Sequence, residues 1–217
     1  MKIKILGSGS TGNCVVVTDN ANNQILLDCG IPFTNILTEI SILNVDLLLL
    51  SHEHKDHSLS YNNFKNLGIK RFSYENEKQV IETLNYKVMP IELKHNVKCY
   101  GYLIYSKQED KQIAYITDTT YIPKFKSLDC LILDINYSNI VVDELSRKYE
   151  KINLGHRNHN SLENTQLYFS QNDIKIKNLI AYHLSNSGLQ NENLIKETLS
   201  CYVDKLYIAK KNLEIIV

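Results

Sequence analysis

The sequence predicts a single α/β domain in which short strands alternate with a few helices. The chain has 217 residues, and because domains usually hold roughly 100–200 residues, one domain over 1–217 is expected. Its apolar residues fall in short runs rich in β-branched side chains, separated by Gly, Asn, Asp and Ser, which is typical of strands and turns. The apolar run at 46–51 predicts a strand buried on both faces.

The same patterns place the individual elements. Strands are predicted at 2–6, 14–18, 24–28, 46–51, 69–74, 87–93, 100–105, 112–117, 130–135, 179–182 and 206–217. Helices are predicted at 33–43, 75–84, 161–171 and 191–200. Strands that feed loops, with helices between them, indicate an α/β sandwich.

Charge and composition exclude several classes of protein. Lys plus Arg and Asp plus Glu are both 24, so a zero net charge argues against a basic nucleic-acid coat or an acidic disordered tail. No apolar stretch is long enough to span a membrane, and the turn at 7–10 follows the first strand too soon for a signal peptide. The five cysteines are scattered and form no CxxC, so we expect a reduced, cytoplasmic protein.

Gly7, Gly9 and Gly12 form a GxGxxG pattern that resembles a dinucleotide-binding loop. That type of loop requires a helix to begin at the third glycine. Here the β-branched run 15–17 follows, and the next predicted strand comes about ten residues later, which leaves no room for a helix. The segment therefore predicts a tight loop between two strands.

The strongest chemical signal is the HxHxDH pattern that directly follows the buried strand at 46–51. It supplies four ligand-type side chains, which are His52, His54, Asp56 and His57. Imidazole and carboxylate groups are the usual ligands of zinc and similar ions. The alternative, a solvated polar loop, rarely concentrates this set of residues by chance.

Three further ligand-type residues each follow a predicted strand. His95 follows 87–93, Asp118 follows 112–117 and His183 follows 179–182. A single histidine at a strand end is usually a surface residue, but parallel strands bring their carboxyl ends to one edge, where sites form.

Taken together, HxHxDH, the later His, Asp and His, and the segment ILLDCG at 25–30 resemble the metallo-β-lactamase superfamily. The resemblance implies an αβ/βα four-layer sandwich with two divalent metal ions at one sheet edge. It implies that His52, His54 and His95 hold the first ion, that Asp56, His57 and His183 hold the second, and that Asp118 bridges both. Zinc is the expected ion, with Mn²⁺ or Fe²⁺ as alternatives. Asp28 fits equally well as a partner of the metal loop or as a turn residue that caps Gly30.

Within that superfamily, the sequence is similar to the RNase Z and YycJ (WalJ) type phosphodiesterases. The similarity lies in the opening GSGSTGNC, in H-x5-GY from His95, in Asp134 with Asn136, and in a segment that begins at His159. It implies that Asp56 helps to orient a metal-bridged hydroxide and that Asp134 orients His159, which protonates the leaving oxygen.

The segment around His159 also predicts a phosphate contact. Asn160 is placed to cap the helix that follows, and a helix N-terminus favours a phosphate group. We therefore expect Asn160 and Ser161 to contact substrate, with the neighbouring Arg157 clamping the same phosphate.

The function expected from these observations is hydrolysis of a phosphodiester in a nucleic-acid end or in a small nucleotide, cyclic nucleotides included. Two alternatives stay open: a thioester or lactone hydrolase using the same metal centre, and a non-catalytic nucleotide-binding protein. A homodimer is a further possibility by analogy with similar proteins, and no membrane partner is expected.

Overall fold

The computed structural model describes residues 1–76, 79–148, 158–185 and 191–217. Its strands are β1 (Lys2–Gly7), β2 (Cys14–Thr18), β3 (Gln24–Leu27), β4 (Val45–Leu49), β5 (Arg71–Phe72), β6 (Ile81–Glu82), β7 (Tyr86–Leu93), β8 (Cys99–Ser106), β9 (Lys111–Ile116), β10 (Ser127–Asp134), β11 (Lys175–Tyr182), β12 (Lys205–Ile208) and β13 (Glu214–Ile216). Its α-helices are α1 (Phe33–Leu37), α2 (Lys55–Ser58), α3 (Asn139–Lys148), α4 (Leu162–Gln171) and α5 (Glu192–Leu199).

The strands form two mixed sheets. The first has the order β13-β1-β2-β3-β4-β5, and the second has the order β12-β11-β10-β9-β8-β7-β6. In the second sheet β9 to β12 are parallel to one another, and β8 is antiparallel to both β7 and β9. The strands β7, β9 and β11 therefore all end at the same edge. In the first sheet β3 and β4 also run parallel.

Three apolar layers separate four layers of secondary structure. The central core lies between the sheets, and side chains such as Leu47 and Leu49 of β4 meet Ile132 of β10 there. Alternate residues of the same strands face outward, because side chains along a strand alternate between its two faces. Leu48 packs in the outer layer with α1, and Leu131 packs against α4 and α5. The protein therefore has the predicted αβ/βα sandwich architecture.

Several predicted elements are wrong in detail. The predicted helix at 75–84 contains β6 instead, which pairs with β7 through a turn that Thr83 and Tyr86 close with a backbone hydrogen bond of 2.9 Å. The predicted strand at 206–217 is two strands in different sheets, because the chain turns at Asn212, where φ is +67°. The predicted helix 33–43 ends at Leu37.

Helix α3 was not predicted, and its first turn explains why. The backbone N–H of Asn139 donates to the Glu163 carboxylate at 2.9 Å, and the Ser138 hydroxyl donates to the same carboxylate at 2.7 Å. The Ser138 hydroxyl also lies 3.5 Å from the Val141 N–H, so Ser138 is a weak local cap, and the carboxylate that satisfies the Asn139 N–H comes from α4. No helix in the described part of the chain is both long and apolar enough to cross a membrane.

The glycine-rich loop at 7–12 packs against the segment that carries the HxHxDH pattern. As predicted, a strand follows Gly12, which has φ +143°. A Cβ atom on Gly12 would lie 2.5 Å from the Gly30 carbonyl oxygen, and one on Gly30 would lie 1.7 Å from the Asp56 carbonyl oxygen. Glycine is needed at these positions because two stretches of backbone pass too close together for a side chain. The loop is therefore not explained by a bound nucleotide.

Gly30→Ala is therefore expected to displace the backbone of Asp56. We expect the free energy of unfolding to fall by about 1–3 kcal/mol or more, as for other overpacked sites, and metal affinity to fall with it. Chemical denaturation and metal titration measure the two effects. Gly68→Ala is the matched control, since its Cβ would meet nothing within 4 Å although φ is +69°. Equal metal affinity in the Gly30→Ala and Gly68→Ala variants would contradict the packing argument.

Candidate metal centre

The seven predicted ligand residues lie together at one edge of the sandwich. Four come from the loop and short helix α2 that follow β4, and the other three follow β7, β9 and β11. All seven belong to groups whose ligand atoms lie within 4.8 Å of one another. The sheet directions explain this convergence, since β7, β9 and β11 end at one edge.

The first group consists of three histidines and one oxygen of Asp118. His54 Nδ1 lies 3.0 Å from His52 Nε2 and 3.4 Å from His95 Nε2. Asp118 Oδ2 lies 3.6 Å from His52 Nε2 and 3.9 Å from His95 Nε2. These four atoms surround a common point.

The second group uses the other oxygen of Asp118. Asp118 Oδ1 lies 3.4 Å from His57 Nε2 and 3.6 Å from His183 Nε2. Asp56 Oδ2 lies 3.6 Å and 3.4 Å from the same two nitrogens. Each oxygen of the Asp118 carboxylate thus faces a different group.

Both groups fit a divalent metal ion of zinc size. Ligand atoms 2.0–2.2 Å from a tetrahedral zinc ion are separated by roughly 3.3–3.6 Å, and the separations above range from 3.0 to 3.9 Å. Nitrogen and carboxylate oxygen are also the donor types that zinc, manganese and iron share. The structure thus brings together, in each group, the residues that the sequence predicts would hold an ion.

The carboxylate of Asp28 supports both groups from behind. It is fully buried and accepts hydrogen bonds from His57 Nδ1 at 2.6 Å, from the Tyr115 hydroxyl at 2.6 Å, and from the Ser51 backbone N–H and hydroxyl at 2.7 and 2.9 Å. His52 Nδ1 in turn lies 2.9 Å from the Ser51 hydroxyl. Because each Nδ1 has an acceptor, it carries the ring proton, and the Nε2 atom of each histidine faces the metal group. Of the two expected roles of Asp28, the structure shows the partner of the metal loop.

Two asparagines complete this outer layer, and neither was predicted in that role. The side-chain amide of Asn136 donates to the His183 carbonyl at 2.8 Å and lies against the His183 ring. The buried amide of Asn13 lies 3.3 Å from Asp56 Oδ2 and 2.9 Å from His57 Nε2. The closing Asn of the GSGSTGN loop was the available signal for Asn13.

Burial and neighbouring charge set the ionisation of the cluster. Burial, followed by the nearby His57, lowers the pKa of His52 to about 2, so this imidazole is neutral. Burial alone would raise the pKa of Asp118, but the surrounding His183 and His57 hold it well below its usual range. A neutral imidazole and an ionised carboxylate are the forms that bind a metal.

Three residues of the site have left-handed backbone conformations. They are Asp28, Asp118 and His183, with φ of +55°, +49° and +55°. Residues other than glycine occupy this region at a cost, and such strain concentrates at functional sites. Each of the three follows a strand, so the turn aims its side chain across the sheet edge.

His159 and Asp134 form a pair beside the second group. His159 Nδ1 lies 3.0 Å from Asp134 Oδ2, and its ring stacks on His183 at 4.9 Å between centroids. Burial lowers the pKa of His159, but the Asp134 carboxylate outweighs it and raises that pKa to about 9. The Asp134 carboxylate therefore favours the protonated form of His159 and leaves the His159 Nε2 atom without a contact to Asp134.

The start of α4 is capped differently from the sequence expectation. The helix cap of α4 is Ser161, whose hydroxyl accepts from the Asn164 N–H at 3.1 Å, and not Asn160. The Asn160 amide is buried and donates to the Asp134 carbonyl at 2.9 Å. The Asn160 side chain thus holds Asp134 in place, whereas the Ser161 hydroxyl is used at the start of α4. Arg157 lies outside the described residues.

Asp28→Asn is expected to weaken metal binding by about 10–100-fold, as loss of other outer hydrogen-bond partners does. The Asn amide would place its own N–H group against the His57, Tyr115 and Ser51 donors, which now share the Asp28 carboxylate. Competition with a chelator of known affinity measures the change. Asp129→Asn is the control, because Asp129 lies in β10 and pairs with Lys177 away from the cluster. Equal affinities for these two variants would contradict the supporting role of Asp28.

Comparisons with known proteins agree with this architecture. The family model described as the metallo-beta-lactamase superfamily matches residues 7–94. This stretch includes the HxHxDH pattern and ends immediately before His95. A search among curated proteins finds no significant match.

Solved structures match over nearly the whole chain. The metallo-beta-lactamase fold protein YhfI from Bacillus subtilis has a TM-score of 0.74 at 14% identity, covering 99% of both chains. The short form of human tRNase Z (ELAC1) has a TM-score of 0.68 at 12% identity, covering 100% of this chain and 99% of that one. A diphosphatase from the PhnP family has a TM-score of 0.69 at 17% identity, covering 100% of this chain and 97% of that one. The family model thus matches the part of the chain that carries the HxHxDH pattern, and the solved structures show that the whole chain has the fold of the YhfI protein.

Proposed function

We propose that the protein is a hydrolase that uses two divalent metal ions, most simply zinc, to cleave a phosphodiester. The metal centre supports hydrolysis in general. The observation that favours a phosphodiester is the Asp134–His159 pair, 3.0 Å apart and stacked against the cluster.

The leaving group explains why this pair matters. A nucleoside hydroxyl leaves poorly as an alkoxide, so it needs a proton as the bond breaks, whereas a thiolate leaves readily without one. A protonated imidazole held by a buried carboxylate can supply that proton. Asp134 fixes the ring orientation and keeps the proton on His159, and Asn160 holds Asp134 through its carbonyl.

The remaining chemistry divides between the metals and the protein. Two bound divalent ions would lower the pKa of a water and neutralise charge on the phosphoryl oxygens. Asp118, Asp56 and the five histidines of the cluster would hold those ions. Asp56 is the more exposed of the two carboxylates, with 25% of its side chain accessible against 3% for Asp118. It is therefore the carboxylate placed to accept a hydrogen bond from the attacking water.

The names of similar structures and the cysteine content support two finer proposals. The human neighbour is a tRNase Z and another is a diphosphatase, so phosphate-ester chemistry occurs on this fold. We propose a nucleic-acid end or a small nucleotide as substrate.

All five cysteines are free and four are buried, which suits a reducing compartment such as the cytoplasm.

A substrate panel tests the proposal. Protein loaded with Zn²⁺ or Mn²⁺, and shown by elemental analysis to hold it, is expected to hydrolyse bis-p-nitrophenyl phosphate. Nitrocefin, a lactone and a glutathione thioester serve as comparison substrates. Turnover of one of these with none of the phosphodiester would contradict the proposal and favour another hydrolase. No turnover of any of them by loaded protein would favour a binding protein.

A further inference from the structure

A cleft of about 780 Å³ opens beside His95, on the side of the first metal group. Its walls are the loops that follow β7 and β9, the two strands that deliver His95 and Asp118. The polar and aromatic residues lining it are Glu92, Lys94, His95, Lys98, Thr120 and Tyr121. Because His95 belongs to both the cleft and the cluster, the cleft lies next to the first metal group.

The two walls of the cleft are tied together. The Thr120 backbone N–H donates to the Lys94 carbonyl at 3.3 Å. The Thr119 hydroxyl accepts from the Tyr121 N–H at 3.1 Å and donates to the Tyr121 carbonyl at 3.0 Å. The loop conformation is thus set by the protein, and it leaves the Tyr121 side chain exposed.

The chemistry of the cleft suits a nucleotide. Lys94 and Lys98 are exposed and outnumber the single acidic residue, Glu92, so the cleft is locally positive in a chain of zero net charge. Lys98 Nζ lies 5.6 Å from the centroid of the Tyr100 ring, a cation–π contact beside the cleft. Tyr121 is 54% exposed. Lysines bind backbone phosphate, and an exposed aromatic ring stacks on a base of any sequence.

We propose that this cleft binds the nucleotide next to the scissile phosphodiester, with its phosphate on Lys94 and Lys98 and its base stacked on Tyr121. The proposal rests on the function proposed above and narrows its substrate to a single-stranded nucleic acid. A free cyclic nucleotide has no neighbouring nucleotide to fill the cleft. Its volume falls within the range of pockets that hold one small ligand, which matches one flanking nucleotide and not a duplex.

Two substrates of different length distinguish binding in the cleft from hydrolysis at the metal centre. The ratio of kcat/KM for a short single-stranded oligonucleotide to that for bis-p-nitrophenyl phosphate is measured for each variant of the metal-loaded protein. Tyr121→Ala is expected to lower this ratio about 10-fold through lost stacking. Tyr121→Phe keeps the ring and is expected to restore the ratio. Lys94→Gln and Lys98→Gln are expected to lower the ratio and to reduce the salt dependence of binding by about one phosphate contact each.

The matched control is Lys126→Gln, which removes an exposed charge that lines a different cleft. Binding of a fluorescent oligonucleotide, followed by anisotropy, provides a readout that does not depend on turnover. Equal oligonucleotide affinity in wild type, Tyr121→Ala and the lysine variants would overturn the cleft proposal. So would turnover of cyclic nucleotides with none of the oligonucleotide. Absence of any phosphodiester turnover, with binding that still depends on Tyr121, would instead overturn the proposed function and keep the cleft.

Discussion

Asp118→Asn is expected to remove most metal binding from both groups and to slow hydrolysis by about 10³-fold or more, which corresponds to several kcal/mol of lost Lewis-acid stabilisation. The reason is geometric, because each oxygen of Asp118 faces a different trio of ligands. Oδ2 lies near His52 and His95, and Oδ1 lies near His57 and His183. An amide replaces one of these oxygens with a nitrogen that carries no lone pair for a metal.

Elemental analysis after dialysis, together with kcat/KM for bis-p-nitrophenyl phosphate, checks this prediction. Asp129→Asn again serves as the control, since Asp129 lies in β10 of the same sheet and bonds Lys177 and the Gln112 N–H. It should keep the metal content of the wild type. A variant at position 118 that retains two ions per chain would show that Asp118 does not bridge them.

His159→Ala is expected to lower kcat by about 10²–10⁴-fold on a nucleoside phosphodiester while leaving metal content unchanged. The loss should be smaller on bis-p-nitrophenyl phosphate, because p-nitrophenolate leaves without a proton. Comparing the two substrates therefore tests proton donation and not merely folding. Loss of metal from this variant would make His159 a ligand, as its proximity to Asp118 and His183 also allows.

Asp134→Asn tests the positioning half of the same pair. Activity through a protonated His159 is lost as pH rises through the pKa of that group, which Asp134 raises to about 9. Removing the carboxylate lowers that pKa, so the alkaline limb of the pH–rate profile should move to lower pH. A profile that keeps its position while the rate falls would assign Asp134 a purely structural role.

The clustering of the predicted ligand residues could be foreseen because their spacing is local or their placement follows from strand direction. His52 to His57 form one short pattern, and His95, Asp118 and His183 each follow a strand that ends at a shared edge. The supporting residues could not be predicted in the same way. The Asp28 carboxylate accepts a hydrogen bond from the hydroxyl of Tyr115, which lies in a strand of the other sheet. Only the packing of the two sheets brings these two residues together.

The errors in secondary structure have a similar cause. Region 75–84 has helical composition, but Tyr86 is buried in the central core, and its hairpin with β6 overrides local preference. Helix α3 begins on a carboxylate supplied by Glu163, which no local pattern encodes. At the start of α4, Ser161 caps the helix while Asn160 bonds the Asp134 carbonyl, a choice that depends on where β10 ends.

The most direct test of the central claim is a crystal structure of zinc-loaded protein with anomalous data collected at the zinc edge. Two anomalous peaks are expected, one among His52, His54 and His95 and the other among Asp56, His57 and His183, with Asp118 in contact with both. A single peak, or no peak in this cluster in the presence of excess zinc, would contradict the dinuclear centre on which the proposed hydrolysis depends.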